Sequence, residues 1–195
     1  MRKSLSMRSR RAPPVSIEPA PPESSAEIHP TRLFPKAGTR DDSIRSGRLA
    51  LRSLEDAREA SSRLAALCPE SDIARLGLLE LFINAIEHGN LGIGFEHKAQ
   101  LLRQGRWLEE IEQRLSSPAC ADKRAIVDYH RSETRFEVRI RDEGNGFDAA
   151  RFLESRSRAA LGVNGQGLVI ARNICFDKLE FQGAGNIVEA TIFFI

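Results

Sequence analysis

Residues 80–90 read Glu-Leu-Phe-Ile-Asn-Ala-Ile-Glu-His-Gly-Asn, the end of an apolar run that starts near Ser71. The spacing predicts a helix capped by the Ser71 hydroxyl and closed by Gly89 as its left-handed C-terminal residue. At about 100° per residue, Leu76, Leu79, Ile83 and Ile86 share one side, and Leu78, Leu81 and Phe82 cover much of the rest. Glu80, Asn84, Glu87 and His88 fill the narrow sector that remains. On a largely buried helix such a polar stripe has to face a cavity, water or a ligand, so it is read as a pocket wall.

Glu80 and Asn84 stand one helical turn apart and address the same small volume. Asn84 offers a neutral hard oxygen suited to Mg²⁺, which keeps several waters and takes phosphate oxygens as well. Glu80 suits a proton acceptor for a hydroxyl or water attacking a phosphoryl group. The same pair would serve equally as core residues bonded to neighbouring backbone. His88 suits either a phosphate contact or a dipole partner in the last helical turn.

Outward from this helix, Leu51, Leu54, Ala57, Leu64 and Leu67 fall at helical spacing and predict a first helix over residues 49–67, ended by Pro69. Residues 96–117 form a charged amphipathic stretch, stopped by Pro118, that reads as one or two inserted helices. Residues 125–130 and 135–141 read as strands, the second with Phe136, Val138 and Ile140 alternating against Glu137, Arg139 and Arg141. Residues 168–176 suit a helix, and 178–182 with 187–195 suit a hairpin through Gly183-Ala184-Gly185-Asn186. Helices followed by antiparallel strands predict an α+β layer fold.

Two glycine-rich segments complete the pattern. Asp142-Glu143-Gly144-Asn145-Gly146-Phe147 ends the alternating strand, where Asp142 suits an exocyclic amine such as that of adenine and the glycines leave room for a flat ring. An ordinary Asp-Gly turn has the same composition. Gly162-Val163-Asn164-Gly165-Gln166-Gly167 leads into an apolar helix, an arrangement of free N–H groups that suits a triphosphate or, equally, a hinge.

Taken together, ELFINAIEHGN (80–90), DEGNGF (142–147) and GVNGQGL (162–168) resemble the GHKL superfamily of gyrase, histidine kinase and MutL, over about residues 49–195. The resemblance implies a two-layer α/β sandwich with a mixed, mainly antiparallel sheet covered by helices. It implies ATP and Mg²⁺ as cofactors. By motif position Asn84 would bind the metal, Asp142 the adenine, Gly144 and Gly146 would shape the adenine pocket, and Gly165, Gln166 and Gly167 would lie at the phosphates. Glu80 matches the family's general base. Arg151, Arg156 or Arg158 would reach the γ-phosphate, with Arg158 the one assigned, and His88 would join the nucleotide contacts. The stretch NAIEHGN resembles anti-sigma-factor serine/threonine kinases more than histidine kinases, which usually carry lysine where Glu87 stands. Two departures are the insert at 96–117, whose Trp107 and leucines are read as packing on the domain, and Gln166 in the second glycine motif.

That resemblance implies a bacterial partner-switching protein that phosphorylates a small antagonist while holding a sigma factor or another regulator; a homodimer is compatible with it. The alternative is a nucleotide-gated protein-binding module without phosphotransfer. Cys68, Cys120 and Cys175 stand far apart, with no disulfide framework or zinc spacing, and fit a reducing cytoplasm. Residues 1–48 hold seven of the nine prolines and ten Lys/Arg against five Asp/Glu, which reads as a disordered basic tail with Thr31–Lys36 as a possible edge strand and Met7 as a possible start. Prolines occupy the place where a secretory signal has its apolar stretch, so export is not expected. No aromatic interleaving points to nucleic acid, and no run approaches the ~20 apolar residues of a membrane helix.

Overall fold

The computed structural model describes residues 46–152 and 166–195. Strand β1 (Ser46–Leu51), helix α1 (Leu54–Ala65) and helix α2 (Ser71–Asn84) come first, and α2 runs on as a π-helical turn over Ala85–Asn90. Helices α3 (Phe95–Arg103) and α4 (Trp107–Ser116) follow, then strands β2 (Ala125–Arg131) and β3 (Arg135–Arg141). A short helix α5 (Gly167–Ile170) also continues as a π turn, Ala171–Cys175, before strands β4 (Lys178–Gln182) and β5 (Ile187–Phe193). The predicted strand Thr31–Lys36 and the rest of the tail before Ser46 lie outside the described residues.

The strands form one open sheet in the order β1-β2-β3-β5-β4, with every pairing antiparallel. Strand register brings the apolar set onto one face. Leu49 lies opposite Val127, Val127 opposite Ile140, and Ile140 opposite Val188, all four buried. The row beside it carries charge, where Arg48 pairs with Asp128 at 2.6 Å and Arg139 with Glu189 at 2.6 Å. Period-two alternation therefore gives one core face and one polar face. The helices cover the apolar face, and Leu64, Leu78, Phe82 and Ile86 share one core with Phe136 and Ile140. This is the two-layer α/β arrangement.

Three local expectations are corrected. Residues 49–67 are not one helix: Leu49 and Leu51 are buried alternately in β1, and α1 starts only after Ser53. A capping box explains the break, since Ser53 Oγ accepts from the Asp56 N–H at 3.1 Å while Asp56 Oδ2 accepts from the Ser53 N–H at 2.9 Å. Leu49 to Leu51 is a two-residue step that suits a strand and Leu51 to Leu54 a three-residue step that suits a helix, and Ser53 marks the change between them. In α2, Glu70 holds the N-cap position without a side-chain bond, so Ser71 is not the cap. Gly89 is not left-handed either. The helix passes through it to Asn90, and the positive φ of 63° falls on Gly92.

Close approach of backbone explains Gly77, where a Cβ would stand 2.5 Å from the Cys175 Cβ and 2.7 Å from the Phe176 ring. That glycine seats α2 against the end of α5. The hairpin β4–β5 turns through Gly183 (φ 63°) and Gly185 (φ 94°), conformations that favour glycine.

Candidate functional site

Between the second half of α2, the strand-end loop after β3 and the β4–β5 hairpin lies a cavity of about 250 Å³. Asn84, His88, Asp142 and Gly146 all line it, together with Phe95, Phe147, Phe181 and Asn186. Residues 58 positions apart in the chain, Asn84 and Asp142, thus share one volume.

Asp142 sits where β3 ends. Its Oδ1 accepts from the Gly144 N–H at 2.8 Å, and its backbone N–H donates to the Asn186 carbonyl at 3.1 Å. Burial pushes the Asp142 carboxyl above the usual range, while the Gly144 N–H and the Lys123 ammonium hold it back. Gly144 has no room for a side chain, because a Cβ would lie 2.6 Å from the Gly89 carbonyl oxygen and 2.8 Å from Asp142 Oδ1. Gly146, at φ 73°, presses against the Ala184 backbone, and Gly185 presses in return against Phe147. The acidic loop and the hairpin turn are interlocked.

On the opposite wall, the Asn84 carboxamide is half-buried and makes no hydrogen bond with any described residue. The core-bonding reading of this residue finds no partner among them. Glu80, one turn earlier, is also half-buried and does not line the cavity. Its carboxylate lies against Gly167 at the start of α5, where a Cβ would overlap it. Burial lifts the Glu80 carboxyl; the Lys98 ammonium opposes that rise and the Glu87 carboxylate adds to it. Gln166 occupies the N-cap position of α5 and is half-buried.

The His88 Nδ1 faces the Ile93 carbonyl, and its ring lies 4.0 Å from that of Phe95. A carbonyl can only accept, so Nδ1 carries the proton and Nε2 keeps a lone pair in the neutral ring. Burial lowers the His88 pKa, against the Ile93 carbonyl and Glu87, which raise it.

The π turn re-sorts the polar stripe. Leu91 N–H donates to Ile86 O at 2.9 Å, five residues back, so side chains after Asn84 depart from the ~100° progression. His88 remains at the cavity, whereas Glu87 turns away, fully buried, and accepts from Lys98 Nζ and Trp107 Nε1 at 2.6 Å each. Asn90, also buried, accepts the Glu143 N–H on Oδ1 at 2.8 Å and so ties the acidic loop to the helix end. Sequence reasoning missed Asn90, Phe95, Lys98 and Asn186. Only Asn90 carried a signal there, as a polar residue following an apolar helix.

Arg156, Arg158, Gly162 and Gly165 lie outside the described residues. Arg151 is exposed, with its N–H on Asp148 Oδ1 at 2.9 Å. Among the described residues no group of three or more His, Cys, Asp or Glu is placed to hold a metal, and no helix is long and apolar enough to cross a membrane.

Nothing among curated proteins matches the chain significantly. Residues 48–192 match the model of the histidine kinase-like ATPase domain. The match runs from within β1 to within β5 and so takes in every wall of the cavity. Asp142, held at a strand end by a glycine N–H, and Asn84, without a hydrogen-bond partner among the described residues, line one cavity inside the matched region, and the chain belongs to the family of histidine kinase-like ATPase domains and is an ATP-binding protein.

Proposed function

We propose that the chain is a Mg·ATP-dependent serine/threonine protein kinase of a bacterial partner switch, acting on a small antagonist protein of the anti-anti-sigma kind. The observation that carries the nucleotide part is the pairing of Asp142 and Asn84 across one cavity. Asp142, when ionised, accepts from the adenine amine, and the space kept by Gly144 and Gly146 admits the flat ring. Asn84 fits a magnesium site in the only way its surroundings permit. It would supply one neutral oxygen, with phosphate oxygens and water taking the other positions, since no carboxylate cluster stands beside it among the described residues. Magnesium, when bound, neutralises phosphate charge.

Glu80 is the general base of this reading, its basicity raised by burial next to α5. Arg158 and Gly165, with Gln166 and Gly167, belong to the phosphate end, and His88 contributes a neutral wall rather than a cation. The kinship with anti-sigma-factor kinases rests on NAIEHGN, the cytoplasmic setting on the isolated cysteines, and the two-part organisation of a tail to residue 48 and a domain over 49–195 on composition.

One observation favours the second reading, a nucleotide-gated binding module without phosphotransfer. The Glu80 carboxylate packs on Gly167 instead of opening onto the cavity. Calorimetry with Mg·ATP on wild type, Asp142→Asn and Asn84→Ala tests the site, and ADP formation by wild type and Glu80→Gln separates the two readings. Binding lost in the first two variants, with ADP formation lost but binding kept in the third, is the kinase result. ADP formation by wild type no faster than by Glu80→Gln would leave only the binding module.

A further inference from the structure

We propose that Glu87 is a positioning residue through which the α3–α4 insert sets the nucleotide affinity of the pocket, an inference that rests on the nucleotide reading above. Glu87 is 0% exposed. Each of its oxygens takes one donor from the insert, Oε2 from Lys98 Nζ on α3 and Oε1 from Trp107 Nε1 at the first residue of α4. The two donors also meet each other, with Lys98 Nζ 5.5 Å from the centre of the Trp107 ring.

The same segment of α2 forms the pocket. Asn84 lies three residues before Glu87 and His88 one after, and the Glu87 carbonyl accepts the Ile93 N–H at 2.9 Å while the Ile93 carbonyl faces His88 Nδ1. From the other end of the insert, Arg114 Nη1 on α4 donates to the Leu91 carbonyl at 2.7 Å. The middle of the π turn and the residue that follows it are therefore held by the insert.

A helical hairpin that only had to stay attached would be held at least as well by apolar side chains, because an ion pair out of water scarcely repays its desolvation. What such a pair does supply is position. With either donor withdrawn, a carboxylate in a dry site is left short of a partner, and the π turn has to rearrange to hydrate it. Displacing α3 and α4 thus alters the wall that carries Asn84 and His88.

The test uses the full chain. Trp107→Phe keeps the ring and removes the N–H, Lys98→Met keeps the stem and removes the charge, and Leu108→Ala is the control on the exposed side of the insert. Mg·ATP affinity is measured by calorimetry, amide hydrogen exchange over residues 84–91 is followed without nucleotide, and thermal stability is recorded alongside. Trp107 is the only tryptophan in the chain, so its emission in wild type reports on the clamp during the same titration. Coupling is expected to weaken binding about ten-fold in Trp107→Phe and Lys98→Met, with faster exchange at 84–91, a Trp107 emission change that saturates with the calorimetric curve, and no effect of Leu108→Ala. Unchanged affinity in Trp107→Phe and Lys98→Met, with only a lower melting temperature, would overturn the inference and leave the nucleotide reading standing. Absence of binding by wild type would instead remove the nucleotide reading, and the inference with it.

Discussion

Gly89 and Asp142 interlock: a Cβ on Gly89 would overlap the Asp142 carboxyl carbon and lie 2.7 Å from its Cβ. Helix α2 and the loop after β3 can approach this closely only because position 89 lacks a side chain. That approach aims the Asp142 carboxylate into the cavity.

Gly89→Ala is accordingly expected to push Asp142 out of place and weaken ATP binding by more than about ten-fold, with a stability loss of about 1–3 kcal/mol from overpacking. Calorimetry and urea unfolding on the same variant measure the two effects. Wild-type affinity in a folded Gly89→Ala protein would show that Asp142 does not need this packing.

Gly167→Ala makes the matching test at the other end. The added methyl displaces the Glu80 carboxylate, whose end is free to swing, so the fold should tolerate it. ADP formation by the nucleotide-saturated protein is expected to drop about a hundred-fold, as for a misplaced catalytic group, whatever affinity is lost with Gly167 at the phosphate end. Retained turnover would remove Glu80 from the chemistry.

His88 makes stability depend on pH. Its folded pKa lies below the unfolded value, so as pH falls below about 6.5 the unfolded chain takes up a proton that the native ring refuses. Stability therefore drops on acidification from that point down to the lowered folded pKa, and is not gained there. Urea unfolding at pH 7.5 and pH 5.5, for wild type and His88→Phe, checks this. The variant should lose part of the slope; an identical slope would place the titration elsewhere.

Thiol reactivity gives a prediction independent of any nucleotide. Burial pushes the Cys68 thiol up to about 12, with Arg131 pulling weakly the other way, so the reactive thiolate is scarce at neutral pH. Under native conditions iodoacetamide should modify the half-buried Cys120 before Cys68, read by peptide mass spectrometry. Early labelling of Cys68 would mean that its surroundings open.

Ser53→Ala should cost about 1 kcal/mol through the lost cap, measured by urea unfolding. The same residue shows where reading along the chain fails. Leu49 and Leu51 stand at alternating spacing and Leu51 and Leu54 at helical spacing, and the Ser53 and Asp56 box that separates β1 from α1 is a reciprocal bond whose meaning depends on β1 already pairing with β2.

The strands β2 and β3, the closing hairpin and the polar face of α2 were legible because their signals are local: alternation in 135–141, glycines at a turn, an apolar helix with one polar stripe. Their order along the chain was enough to point to an ATP-binding α+β domain. Tertiary structure decided which members of the stripe share the pocket. Asn84 and His88 face it, Glu80 lies against Gly167, and Glu87 turns into the insert, because the π turn shifts the helical progression and the partners of a buried carboxylate lie 11 and 20 residues further on. Gly89 reads as a helix terminator until Asp142, 53 residues away, is packed against it. Periodicity determines which side of a helix is polar; only the neighbours brought by the fold determine what that side meets.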